Sequence, residues 1–196
     1  MRILDLGCGS GLDLSSWGVI STDEVTGIDI DESRLAVARK RFPNRTYLRC
    51  AAECLPFPSN SFDRVISAVA LPYMNIPKTL AEVYRVLAPD GGLSLSLHPS
   101  SFTFAELLHK AMPRPLATVF RLYVIGNGVW FHCAGLTAPF VNHRTESFQT
   151  KRGMTLALSR AGFTDFAFHE SSGPERTRFS VEAKTSKAIL YFAAAA

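Results

Sequence analysis

The chain has 196 residues, 47% hydrophobic and 19% charged, which suits one folded domain with a substantial core and excludes a disordered chain. Its 21 basic and 17 acidic residues leave a formal net charge of +4, too mild to demand nucleic acid or an anionic membrane as a partner. The four cysteines (Cys8, Cys50, Cys54 and Cys133) have no second close pair and no nearby histidine couple, so the spacing argues against zinc or any other metal and fits reduced thiols in a cytoplasmic protein.

Residues 2–6 form a short apolar run ended by Gly7 and predict a buried strand. Residues 12–17 predict a short helix and 25–28 a second strand. Leu35, Ala38 and Phe42 then recur at helical spacing, with Asp31 as N-cap and Pro43 just beyond the end. Residues 46–49 and 64–68 predict the third and fourth strands. The connection between them, from Cys50 to Asp63, is close to the minimum for a parallel crossover and reads as a loop. Leu80, Val83, Tyr84 and Leu87 mark one face of a helix that opens near Pro77. Asp90-Gly91-Gly92 reads as a turn into a fifth strand at 93–97.

From 99 to 143 the pattern loosens into a segment rich in large apolar residues, which reads as an insertion within a single domain spanning 1–196. The apolar zone at 116–131 is interrupted by Arg121 and by Gly126-Asn127-Gly128, so it is not a membrane span. Residues 124–130 are open to two readings, a hairpin or a helix break. Met154, Leu158 and Ala161 restore helical spacing, closed by Gly162. Residues 163–169 and 179–185 predict an antiparallel hairpin across Ser-Ser-Gly-Pro. The whole order predicts an α/β fold with a parallel sheet covered by helices and joined by right-handed crossovers.

The break after the first strand carries the functional signal. Gly7, Gly9 and Gly11 alternate, so the spacing is G-x-G-x-G, not the dinucleotide fingerprint, whose third glycine would fall on Leu12. Glycines between a strand and a helix let backbone amides approach a ligand closely. Asp29 ends the second strand, where a carboxylate can accept both hydroxyls of a ribose, while Asp31 is better placed to cap the helix.

The stretches ILDLGCGSG, VTGIDID, LPFPSNSFDRVIS and VYRVLAPDGG, in this order, resemble class I S-adenosylmethionine-dependent methyltransferases, and the small-molecule branch known as methyltransferase type 11 in particular. The likeness is close over residues 2–97 and looser beyond. It implies a Rossmann-like fold with a seven-stranded mixed sheet, and S-adenosylmethionine as cofactor. It also implies methyl transfer by in-line displacement to a small organic acceptor. The resemblance assigns Gly7, Gly9 and Gly11 to the methionine moiety and ribose. Cys8 becomes a small packing residue within the turn. Asp29 takes the ribose, Ile30 packs on the adenine face, and Ala52 and Glu53 sit in the loop bordering adenine. Asp5 either helps place the methionine amino group or is a structural acid. Two departures stand out. Ala51 occupies the place where the family commonly has an aspartate for the adenine amino group, and the first strand begins at residue 2, where relatives usually have preceding helical turns.

For the acceptor side, His98 at the end of the fifth strand is the best-placed general base, ahead of His132 and His143. Tyr73 is either an acceptor-pocket residue or a helix-packing aromatic. Pro72-Tyr73 lacks the preceding Asn or Asp of base and amide methylases, which argues against nucleic-acid or glutamine methylation. The basic cluster Arg34, Arg39, Lys40, Arg41, Arg45 and Arg49 reads as a solvated helix surface more readily than as an RNA face. The aromatic-rich insertion at 99–143 reads either as a lid over a flat acceptor or as a satellite core. A non-catalytic binding or partner protein on the same fold is the rival reading, and a homo-oligomer stays open.

Overall fold

The computed structural model describes residues 1–12, 14–97, 115–139, 145–171 and 178–186. Seven strands form one sheet: β1 (Arg2–Leu6), β2 (Glu24–Asp29), β3 (Thr46–Arg49), β4 (Phe62–Ala68), β5 (Leu87–Leu97), β6 (Asp165–Ser171) and β7 (Arg178–Lys184). Their order is β3-β2-β1-β4-β5-β7-β6. The first five run parallel, and β7 lies antiparallel between β5 and β6. The expected mixed sheet with a C-terminal antiparallel hairpin is therefore present.

Four helices accompany the sheet among the described residues: α1 (Glu32–Arg41), α2 (Ile76–Val86), α3 (Pro115–Ala134) and α4 (Lys151–Ala161). Each of α1, α2 and α4 starts on a side chain that accepts backbone N–H groups, namely Asp31, Asn75 and Thr150. The larger core lies on one face of the sheet. There Leu4, Leu6, Val65, Leu93, Leu95 and Val181 meet Leu80 and Val83 of α2 and Met154 and Leu158 of α4. The opposite face holds a smaller cluster of Ile3, Leu14, Val25 and Ile66, flanked by Trp17 and Val19. Because β1 is buried on both faces, its apolar residues run on without strict alternation.

The connection from β3 to β4 is a loop, as its length requires. It is pinned by α2, where Arg85 donates to the carbonyls of Phe57 (2.7 Å) and Leu55 (2.9 Å), and Glu82 accepts the Leu55 amide at 2.7 Å.

Four expectations are corrected. Among the described residues of 12–17 the regular structure is a single 3₁₀ turn, Ser15–Trp17, with Leu14 buried beside it. One buried apolar residue makes no stripe for a longer helix to bury. Leu87 opens β5 instead of closing α2, and Asp90-Gly91-Gly92 is a bulge inside that strand. Phe62 pairs with Leu87 and Arg64 with Gly92, and Asp90 takes φ +60°.

The Gly-Asn-Gly run neither turns nor breaks a helix. α3 passes through it because a Cβ on Gly128 would stand 2.2 Å from the Phe148 ring, so glycine lets that ring lie on the helix backbone. The buried Asn127 side chain donates to the Glu146 carbonyl (2.9 Å) and accepts the Ala138 amide (2.8 Å). The turn-like composition serves close packing and loop anchoring.

Candidate cofactor and active site

The strand order reverses between β1 and β4, and in open parallel sheets ligands collect at the carboxyl ends beside such a switch. Gly7, Gly9 and Gly11 follow β1 with φ of +71°, +53° and +80°, all in the left-handed region. The turn is stitched by Cys8 N–H to the Ile28 carbonyl (2.8 Å) and Gly11 N–H to the Cys8 carbonyl (3.0 Å). Its three glycines have different surroundings. A Cβ on Gly7 would lie 2.3 Å from Ala70 Cβ, and one on Gly11 would lie 2.9 Å from the Phe42 ring. On Gly9 it would meet only Arg34 Nη1, at 3.9 Å. Gly7 and Gly11 are thus pressed against protein, while Gly9 presents an open side to a ligand.

Asp29 secures this open position. Its Oδ2 accepts the Gly9 amide at 2.8 Å and its Oδ1 the Asp31 amide at 2.9 Å. Each carboxylate oxygen retains acceptor capacity, so both can still take a hydroxyl. Ile30, next in the chain, is 68% exposed. An apolar side chain presented to solvent beside a diol-binding acid offers a flat surface for a heterocycle.

The basic residues after Gly9 also act on the turn. Arg41 donates to the Gly11 carbonyl (3.0 Å) and Arg45 to the Leu12 carbonyl (2.7 Å). Arg49 donates to the Ile30 carbonyl at 3.1 Å, and the Arg45 guanidinium stacks on Phe42 at 4.0 Å. These arginines hold carbonyls of the glycine turn and of Ile30, and so brace the loops on either side of Gly9. Sequence reasoning treated them as helix surface. Their four-residue spacing from the end of α1 through β3 was visible, but the carbonyls they reach belong to residues 19 to 33 positions earlier.

Asp5 is buried beneath the turn, and among the described residues no group donates to its carboxylate. Burial pushes its carboxyl from the ordinary 3.8 up to about 7, with Arg45 opposing and Asp29 adding to the rise. The folded chain therefore binds this proton more tightly than the unfolded chain does. Stability falls as pH rises from about 4 to about 7 and stays lower above that. We expect Asp5→Asn, neutral throughout, to be more stable than the parent at pH 8 and nearly equal to it at pH 4. Urea midpoints at the two pH values check this, and a parent midpoint that rises with pH relative to the variant would refute it.

Cys8 is packed against Gly27, where a Cβ would come within 2.8 Å of its Sγ, and burial pushes its thiol up to about 12. It is a packing residue with no thiolate to offer at neutral pH.

In the loop after β3, Ala52 is buried in the larger core, while Ala51 is exposed. Glu53 Oε1 accepts the Asn75 amide at 2.7 Å, bridging this loop to the start of α2. The side chain of Ala52 thus points into the core, and one oxygen of Glu53 is already occupied. Beyond β4, Val69 takes φ +63°, a strained conformation for a β-branched residue, with its amide donating to the Ser96 carbonyl at 2.9 Å. Ala70 fills the space under Gly7, and a 3₁₀ turn, Leu71–Tyr73, leaves Tyr73 61% exposed. His132 lies within 3.0 Å of Thr150 Oγ1, the cap of α4, which places it in a helix junction. His98 and His143 lie outside the described residues. Among the described residues no three His, Cys, Asp or Glu side chains cluster to hold a metal, and no helix is long and apolar enough to cross a membrane.

The open Cα side of Gly9, the oriented acceptors of Asp29 and the exposed Ile30 together fit S-adenosylmethionine. The glycine cradle is one that a Cβ would obstruct, and the acid supplies the pair of acceptors that a ribose diol requires.

Comparison with known proteins points the same way. The family model described as "Methyltransferase domain" matches residues 4–95. The chain is 33% identical over 175 residues to a demethylmenaquinone methyltransferase of Chlorobaculum parvum, covering 85% of this chain and 67% of that protein. It is 41% identical over 99 residues to the demethylmenaquinone methyltransferase of Symbiobacterium thermophilum, 46% of this chain and 39% of that one. The crystal structure of an S-adenosylmethionine-dependent methyltransferase from Mesorhizobium loti superposes with a TM-score of 0.64 at 20% identity, over 93% of this chain and 90% of that chain. The matched regions span 39% to 65% of the length of three of the curated relatives.

Proposed function

The chain belongs to the class I S-adenosylmethionine-dependent methyltransferase family, and we propose that it moves a methyl group to a small, flat, lipophilic organic acceptor. The observation that carries the cofactor half is the Asp29 carboxylate, held by the Gly9 and Asp31 amides beside an open glycine turn. When bound, the cofactor supplies a methyl group already activated on a sulfonium. The chain's own residues then bind and orient. Asp29 takes the ribose hydroxyls, the turn around Gly9 lies along the amino-acid end, Ile30 covers the adenine and Asp5 lies toward the ammonium group. Holding two reactants in attack geometry lowers the barrier by up to roughly 7–11 kcal/mol. His98 is the proposed general base for an acceptor that carries a proton.

The lipophilic acceptor is supported by two exposed apolar residues that follow β1 and β4. Leu12 follows the glycine turn and is 41% exposed, and Tyr73 stands exposed after β4. Two relatives are named demethylmenaquinone methyltransferases, and a quinol ring is the class we assign here. The insertion at 99–143 is the proposed lid.

Transfer is tested by incubating the chain with S-adenosylmethionine and a short-chain demethylnaphthoquinol, then reading a mass gain of one CH2 on the quinol. We expect methylated product with the quinol and none with RNA or DNA. Ala51 leaves the adenine amino group without the usual acid, which favours the rival of a non-catalytic binding protein. Cofactor binding without transfer to a panel of phenols, quinols and carboxylates would support that rival and overturn the enzyme reading.

A further inference from the structure

The outer face of α3 departs from what a surface helix should look like. Its inner side seats Val124, Asn127, Gly128 and Phe131 against α4 and the segment before it. Facing away from these are Val119, Leu122, Val129 and Trp130, all between 50% and 61% exposed, together with exposed Gly126 and Cys133. An ordinary surface helix turns charge outward. The one charged residue from Val119 to Cys133, Arg121, lies about a third of a turn from the centre of this face.

The spacing is specific. Val119, Leu122, Gly126, Val129 and Cys133 are separated by 3, 4, 3 and 4 residues, the a/d seam of a two-helix pairing. Gly126 lies near the centre. A Cβ there would meet nothing within 4 Å, so among the described residues no contact requires glycine. Yet glycine weakens a helix by about 1 kcal/mol relative to alanine. A small residue at a crossing lets two helix backbones approach, which accounts for it.

We propose that α3 pairs antiparallel with α3 of a second copy of this chain, with Gly126 on the two-fold axis. Leu122 then packs on Val129 of the partner subunit, and Val119 on Cys133 of the partner subunit, each contact occurring twice. The seam from Val119 to Cys133 spans about 22 Å. A strip about 20 Å wide along that length buries about 440 Å² per copy, in the range of weak and transient interfaces, so the pairing is reversible and depends on concentration. The seam has no cation to attract nucleic acid or anionic lipid.

Sedimentation velocity of the full chain, from micromolar to several hundred micromolar, tests this. The expected mass rises from 21.5 kDa to twice that value with concentration. Leu122→Glu and Val129→Lys, both at exposed positions, should each stay monomeric with unchanged circular dichroism. An equimolar mixture should dimerise again, because only the mixed pair sets glutamate against lysine. A parent chain that is monomeric throughout would overturn the proposal, whether its face is covered by residues 98–114 or binds vesicles of phosphatidylglycerol. So would variants that dimerise like the parent, or a mixture that fails to rescue.

Discussion

Asp29→Ala should weaken S-adenosylmethionine binding by about 100-fold or more, since hydrogen bonds to a charged acceptor contribute roughly 1.5–3 kcal/mol each and two ribose hydroxyls would lose theirs. The loss has a second source. The same carboxylate accepts the amides of Gly9 and Asp31, so its removal also frees the open part of the turn. Asp29 is only half-buried, and water can reach the two orphaned amides, so the fold should lose no more than about 1–2 kcal/mol. Titration calorimetry with S-adenosylmethionine and S-adenosylhomocysteine, beside a urea melt, separates the two effects. Asp29→Asn sharpens the test. Its carbamoyl oxygen can still accept one amide, but its NH2 cannot accept a hydroxyl, so much of the stability should return while the affinity does not. Unchanged affinity in both variants would place the ribose elsewhere and remove the main support for the cofactor site.

The glycines of the turn should separate in the opposite sense. Gly7→Ala puts a methyl 2.3 Å from Ala70 Cβ and 3.0 Å from Met74 Cε, at φ +71°. Overpacking of this kind costs about 1–3 kcal/mol, and the left-handed conformation adds roughly 1–2 kcal/mol. The variant should therefore lose about 3 kcal/mol of stability, read as a lower urea midpoint. Gly9→Ala meets nothing closer than 3.9 Å and carries only the conformational term, about 1 kcal/mol. Its methyl would stand on the side left open to a ligand, and cofactor affinity should fall about tenfold or more. If Gly9→Ala instead binds normally, the ligand does not approach that side of the turn.

Much of the site could be read from the chain because its cues are local. The alternation of Gly7, Gly9 and Gly11 after an apolar run, and an acid at the end of the next strand, are each short-range patterns with one backbone explanation. Asp31 as a cap was legible for the same reason: a side chain that caps a helix lies next to the residues whose amides it accepts. What escaped were partnerships across long separations. Arg45 reaches Leu12, Glu53 reaches Asn75, and Asn127 reaches Glu146. In each case the residue type alone suggested a surface or a turn. Gly126-Asn127-Gly128 shows the limit most clearly. Its composition is that of a hairpin loop, and only the Phe148 ring against Gly128 explains why the helix continues. The bulge at Asp90 is similar, since a turn and a bulge draw on the same residues and differ only in what the neighbouring strand does.

The strand order has a consequence for solubility. A sheet ordered β3-β2-β1-β4-β5-β7-β6 leaves two rims able to recruit a foreign strand. β3 answers with brevity, four residues with Arg49 at its end and Arg45 just before its start. β6 begins on exposed Asp165 and carries exposed His169. Short length and charge at the rim both oppose runaway strand addition and the fibres it builds. Copies of this chain are thus steered away from meeting edge to edge, and the apolar surface that remains for them to share lies on a helix, where association closes after two.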